Sequence, residues 1–263
     1  MIQLMFLLIW TPIDAIYASE DVPLAQVTNK SRRLKEEDAN MLIRHNPFYF
    51  AYGNPTSKIQ LSFKAPIVKK VPLYFAYTQI MFWSLQEDSK PFRDLTYNPE
   101  LLYRLNIKKV DGLTAIDFGI WTHNSNGKSD AASRSYDKSY IRAQGQKEMK
   151  NWIFSGSMQL SYLHGFDIGN KDIQEYIGPL SLSISLIQIF DAWVDKGEFS
   201  LQATPGGRFS QNWNRGGYQV AWSFRLGGIE VVPAFYIQYY CGYAESLLNY
   251  NRRVNEFRVG VIF

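Results

Sequence analysis

The chain has 263 residues, with 28 Lys and Arg against 24 Asp and Glu, and hydrophobic residues make up 46% of it. A formal charge of +4 with scattered basic residues, and no recognisable nucleic-acid module, exclude nucleic acid as a partner. The single cysteine, Cys241, excludes an intrachain disulfide framework and a thiolate-rich metal site.

Residues 1–18 read as a signal peptide. Ile2 to Trp10 is apolar, Pro12 follows, and Ile16-Tyr17-Ala18 offers a small-residue cleavage site before Ser19, although no Lys or Arg precedes the apolar run. Beyond it no apolar run reaches the ~18 residues a transmembrane helix needs. Residues 19–46 are polar and charged, as in Lys30-Ser31-Arg32-Arg33, and read as a periplasmic N-terminal segment.

From residue 47 to 263 the pattern has period two. Ile59-Gln60-Leu61-Ser62-Phe63-Lys64 alternates, and so do 152–162, Leu180-Ser181-Leu182-Ser183-Ile184-Ser185-Leu186 and 218–224. Turn signals at Gly53-Asn54-Pro55, Asp111-Gly112, Gly169-Asn170, Pro205-Gly206-Gly207 and Gly227-Gly228 separate the runs. About twelve strands are predicted, centred near Phe50, Leu61, Tyr77, Leu102, Phe118, Ile141, Met158, Ser183, Leu201, Val220, Phe235 and Val259.

Periodicity alone does not separate a soluble sandwich from a membrane barrel. Several runs have the ~9–11 residues of a tilted membrane strand. Aromatics reach 16% and concentrate near run ends, as in Phe82-Trp83, Trp121 and Tyr239-Tyr240, where a girdle would lie. The chain ends on a strand with Phe257, Val259, Val261 and Phe263 on one face, resembling the terminal strand of outer-membrane proteins. The expected fold class is all-β, a transmembrane antiparallel β-barrel of an even number of strands.

Register predicts one irregularity. Counting back in twos from His123 puts Asp117 on the lipid face, which is unfavourable. A bulge near Gly119 would turn Asp117 inward. His45 and His164 lack a motif and read as interface or periplasmic residues.

The segment Trp121-Thr122-His123-Asn124-Ser125-Asn126-Gly127-Lys128-Ser129-Asp130 holds the chemistry. On a strand, His123 and Ser125 share a face, about 7 Å apart at Cα. A base beside a hydroxyl is the minimal arrangement for a serine nucleophile. If the following run pairs back as a hairpin, Asp137 returns beside His123 and orients its imidazole.

These residues carry a resemblance. His123 to Asp130, with Ser133-Arg134-Ser135, looks like the active-site signature of outer-membrane phospholipase A, the twelve-stranded barrel enzyme of Gram-negative bacteria. Ser89-Lys90-Pro91-Phe92-Arg93, Thr96-Tyr97-Asn98-Pro99-Glu100-Leu101, Tyr176-Ile177-Gly178 and 242–250 resemble further family segments, in order.

The resemblance implies Ser125 as nucleophile, His123 as general base and Asp137 as third member, where the family commonly has Asn. It implies a calcium ion held by Ser89, Lys128 and Ser133, with Asp130 in the same loop. One acidic family position, in the loop between the next two strands, has no clear match within Asp167-Ile168-Gly169-Asn170-Lys171-Asp172. Gly127 N–H would serve the oxyanion. The implied activity is hydrolysis of sn-1 and sn-2 phospholipid esters and of lysophospholipids. The implied partners are the phospholipid in the outer membrane and a second copy, in a reversible homodimer whose interface includes Gln79. A lumen-facing Gln79, one register out, is the plainer reading. The competing functions are a non-catalytic small porin or structural barrel, and a lipid A deacylase.

Overall fold

A strand can cross a bilayer only if its backbone groups pair on both sides, and that requires a closed sheet. The computed structural model describes residues 42–68, 70–108, 110–189, 194–208, 211–226 and 233–263 and shows such closure. The strands are β1 (Ile43–Arg44), β2 (Tyr49–Gly53), β3 (Ser57–Pro66), β4 (Leu73–Trp83), β5 (Phe92–Asn106), β6 (Leu113–Ser125), β7 (Ser135–Met149), β8 (Trp152–His164), β9 (Leu180–Ile189), β10 (Val194–Gly206), β11 (Asn212–Leu226), β12 (Ala234–Gly242) and β13 (Val254–Ile262). From β2 onward each pairs antiparallel with its sequence neighbours, and β13 returns to β2 to close the ring. β1 and β2 both pair with β3, so together they fill one of twelve positions.

Every expected strand centre falls inside one of β2 to β13. The barrel starts slightly before the expected boundary at residue 47: Ile43 and Arg44 pair with β3, and His45 and Asn46 line the lumen. The signal peptide and most of the lead-in segment lie outside the described residues.

Alternation sorts the side chains in the reverse sense to a soluble protein. On β8, Phe154, Met158, Leu160 and Tyr162 are exposed, whereas Gln159 is buried. The inward row fills a polar lumen with a cavity of about 590 Å³, lined by Ser157, Gln159, Ser183 and Gln219 among others. Buried charges are costly unless paired, and the charges at the centre of the lumen are paired. Arg104 meets Asp117 at 2.7 Å, and Arg142 lies 3.9 Å from the same carboxylate. Glu100 accepts the Tyr140 hydroxyl at 2.6 Å and lies 3.6 Å from His45 Nε2. His45 is therefore a lumen residue, not the interface or periplasmic residue expected. It precedes the regular pattern, and its partner comes from β5.

The longer loops mark one end as external. There, loops 165–179 and 243–253 build a small apolar core over the mouth from Ile173, Leu247 and Tyr250 with Tyr136 and Leu163. From the second loop Glu245 reaches Arg258 at 2.5 Å and Lys58 at 3.3 Å. Among the described residues these elements cover the external mouth, which disfavours an open pore.

Candidate active site

β6 changes phase midway. Ala115, Asp117 and Gly119 face the lumen, and so do Thr122 and Asn124. Between the two sets, Ile120 and Trp121 are both exposed. On β7, Gly119 opposes Tyr140 and Thr122 opposes Lys138, so two β6 residues face Ser139 alone. This is a β-bulge. The Ser139 hydroxyl donates to the Ile120 carbonyl at 2.9 Å, satisfying a group the bulge removes from regular pairing. Gly119 is required by close approach, since a Cβ there would lie 2.1 Å from the Tyr140 ring.

The bulge is the irregularity the sequence predicts. Asp117 is 0% exposed and bound to Arg104. Below the bulge the strand keeps its aspartate inside; above it, His123 and Ser125 project toward lipid.

His123 opposes Asp137 across the β6–β7 pair, and His123 Nδ1 lies 2.7 Å from Asp137 Oδ1. A carboxylate accepts, so Nδ1 is the donor in this contact, and in a neutral imidazole Nε2 would then carry the lone pair. The Trp121 ring stacks on His123, with centroids 6.0 Å apart and planes at 14°. On its other side Asp137 opposes His164 of β8, which stacks on Tyr162 at 5.5 Å.

Ser125 lies on the same face as His123, opposite Ser135 and Tyr97. Its Oγ accepts the Gly127 N–H at 3.2 Å. Among the described residues no hydrogen bond joins Ser125 to His123; such contacts are often open without substrate. Gly127 is in the left-handed region at φ +64, and a Cβ there would lie 2.8 Å from the Tyr97 ring.

The predicted calcium ligands sit on two turns at the same end. Lys128, Asp130 and Ser133 belong to loop 126–134, and Ser89 belongs to the turn between β4 and β5. Asp130 and Ser89 both take left-handed conformations, at φ +55 and +61. Ser133 Oγ donates to Asp167 Oδ2 at 2.7 Å, and Gly169 N–H donates to Oδ1 at 2.9 Å. These two donors hold the Asp167 carboxyl below the usual carboxylate range, the Gly169 N–H contributing most. Asp167 thus brings to Ser133 a carboxylate that the sequence did not place there. Its signal was an Asx turn to Gly169, visible only with the loop path known. Asn170 supports the junction: Ser135 N–H donates to its Oδ1 at 3.2 Å, and its Nδ2 donates to the Ser135 carbonyl at 3.0 Å.

Among the described residues no group of His, Cys, Asp and Glu would by itself hold a metal. The donors near Ser133 are hydroxyl, carboxylate and backbone oxygens, the set calcium takes. The residues present therefore fit a hard cation.

Gln79 lies on β4 between the lumen-facing Thr78 and Ile80, on the outer face with Tyr77. The Tyr77 hydroxyl donates to Gln79 Oε1 at 3.4 Å. The lumen-facing reading of Gln79 is thereby set aside.

A polar lumen inside an apolar outer wall defines the class, an outer-membrane β-barrel, and a histidine–carboxylate pair lies beside a serine on that wall. Comparison with known proteins gives the family. A family model described as Phospholipase A1 matches residues 22–263, and the chain belongs to that family. It is 32% identical over 213 residues to Phospholipase A1 of Salmonella typhimurium, spanning 78% of this chain and 67% of that protein. The Escherichia coli K12 Phospholipase A1 matches to the same extent. Among solved structures, outer membrane phospholipase A from Escherichia coli superposes with a TM-score of 0.69 at 27% identity, covering 85% of this chain and 98% of that one. A Salmonella typhi outer membrane phospholipase dimer with bound calcium gives the same TM-score and identity, covering 85% and 92%. The protein is an outer-membrane β-barrel phospholipase.

Proposed function

We propose that this phospholipase cleaves sn-1 and sn-2 acyl esters, and those of lysophospholipids, by a Ser125–His123–Asp137 mechanism on the outer wall. The observation that carries this reading is the His123 Nδ1–Asp137 Oδ1 contact of 2.7 Å beside Ser125, on the lipid-facing side of β6. His123 Nε2 takes the Ser125 proton as Oγ attacks the ester carbonyl. The tetrahedral intermediate collapses, and the departing glycerol oxygen takes that proton from Nε2. Water then gives a proton to Nε2 and attacks the acyl-enzyme, releasing the fatty acid and restoring Ser125. Asp137 stabilises the imidazolium in both halves. Gly127 N–H, which rests on Ser125 Oγ, is left free to meet the oxyanion as Oγ moves onto carbon.

Calcium, when bound, supplies positive charge near the ester carbonyl; Ser89, the Lys128 carbonyl, Ser133, Asp130 and Asp167 would hold it. The dimeric calcium-bound relative supports both the ion and a homodimer, which in this reading is reversible. Gln79, a polar side chain facing lipid, would gain a partner there. Residues 1–18 serve as signal peptide in this reading.

The test is hydrolysis of labelled phospholipid against calcium concentration for wild type, Ser125→Ala and Asp137→Asn, with lipid A as comparison substrate. Loss of activity in Ser125→Ala with the barrel intact is expected. Retained activity in that variant, or preference for lipid A, overturns the reading.

A further inference from the structure

Loop 126–134 holds only one turn of 3-10 helix, Asp130–Ala132. Arg134 Nη1 donates to the Ala131 and Ser133 carbonyls at 2.9 and 2.6 Å, and a single buried side chain ties the two ends of the loop together. Asn126 is 2% exposed. Its Oδ1 accepts the Lys128 N–H at 3.3 Å and the Arg134 N–H at 3.0 Å. Its Nδ2 donates to the Ala132 carbonyl at 2.9 Å. Its own N–H donates to the Arg134 carbonyl at 3.0 Å.

Peptide planarity gives these contacts a consequence. The Asn126 carboxamide holds the plane of the Gly127–Lys128 peptide through the Lys128 N–H. The neighbouring Asn126–Gly127 peptide, which carries the Gly127 N–H, starts from a residue anchored across the whole loop. On the other side Gly127 abuts the Tyr97 ring, with room for no Cβ. The N–H that bonds Ser125 Oγ is therefore bracketed on both sides. The same carboxamide binds Ala132 and Arg134, the two neighbours of Ser133.

We propose that Asn126 is a positioning residue, whose carboxamide aims the Gly127 N–H at the oxyanion and sets the Lys128 and Ser133 oxygens together at one site. This deepens the reading of Ser125 as nucleophile and rests on it.

The full chain in detergent tests it, as Asn126→Ala, Asn126→Asp and Ser125→Ala, each assayed per folded molecule by heat-modifiable migration. Asn126→Ala should lower kcat by about 10²-fold, the loss of one oxyanion donor, with KM within about twofold. Asn126→Asp keeps both acceptor contacts and loses the donor to Ala132, so it should recover roughly tenfold of that loss. The calcium-induced rise in unfolding temperature should shrink in Asn126→Ala. Wild-type kcat per folded molecule in Asn126→Ala overturns the proposal, as does a loss matched by the missing folded fraction. Ser125→Ala separates the two levels: if it stays active, the nucleophile assignment fails; if it is inactive while Asn126→Ala is unchanged, only the positioning role fails.

Discussion

Gly165 lies against Asp137 so closely that a Cβ at 165 would stand 2.5 Å from Oδ2. Gly165 also has φ +61, which favours glycine independently. The carboxylate that orients His123 is thus backed by bare main chain. Gly165→Ala should displace Asp137, lowering kcat by about 10-fold or more, given the cost of small misplacements. Steady-state kinetics on the folded barrel checks this; unchanged kcat would show that Asp137 tolerates the shift.

Asp137→Asn keeps an oxygen acceptor for the Nδ1 proton and loses the charge. The expected fall in kcat is about tenfold, a difference of ~1.4 kcal/mol in stabilising the imidazolium. Asp137→Ala removes orientation as well and should fall further. Equal kinetics for the two variants would argue against a separate role for the charge.

Deleting Ile120 removes the extra residue of the bulge and restores strict alternation. Either Asp117 then faces lipid or His123 and Ser125 face the lumen. The expected result is loss of folded barrel, or a folded barrel that fails to label with a sulfonyl fluoride. A folded and labelled deletion variant would contradict the phase argument.

Glu245→Gln leaves Lys58 without its carboxylate and Arg258 with Glu256 alone, at 3.6 Å. Breaking a buried pair from one side costs about 3–5 kcal/mol. The urea midpoint of unfolding should fall accordingly. A midpoint equal to wild type would mean that water reaches these cations.

Asp167 has a depressed pKa, so its contribution is present above the unfolded carboxylate value and lost only as pH falls through the lower folded value. From about pH 5 to 8 it should therefore stay charged. Asp167→Asn should raise the calcium midpoint without moving the acid limb of activity over that range. A shifted acid limb would assign that titration to Asp167.

The strands were legible because period two extends through nearly every run, and because membrane strands need a minimum length. The bulge was legible from a conflict: Asp117 and His123 have the same parity and incompatible environments. The pairing of His123 with Asp137 followed from hairpin register once the turn between them was recognised. Asp167 and the three contacts of Asn126 were not legible, since loops 126–134 and 165–179 have no periodicity to place their ends. His45 was misread for a related reason: its environment depends on Glu100 and Tyr140 from distant strands.

His123 and Ser125 stand on the outer wall of β6, so under the proposed mechanism the ester reaches them by lateral diffusion. The quantity that sets their rate is then a surface mole fraction. Adding inert lipid to the same membrane should slow turnover, whereas diluting the vesicles in buffer should leave it unchanged.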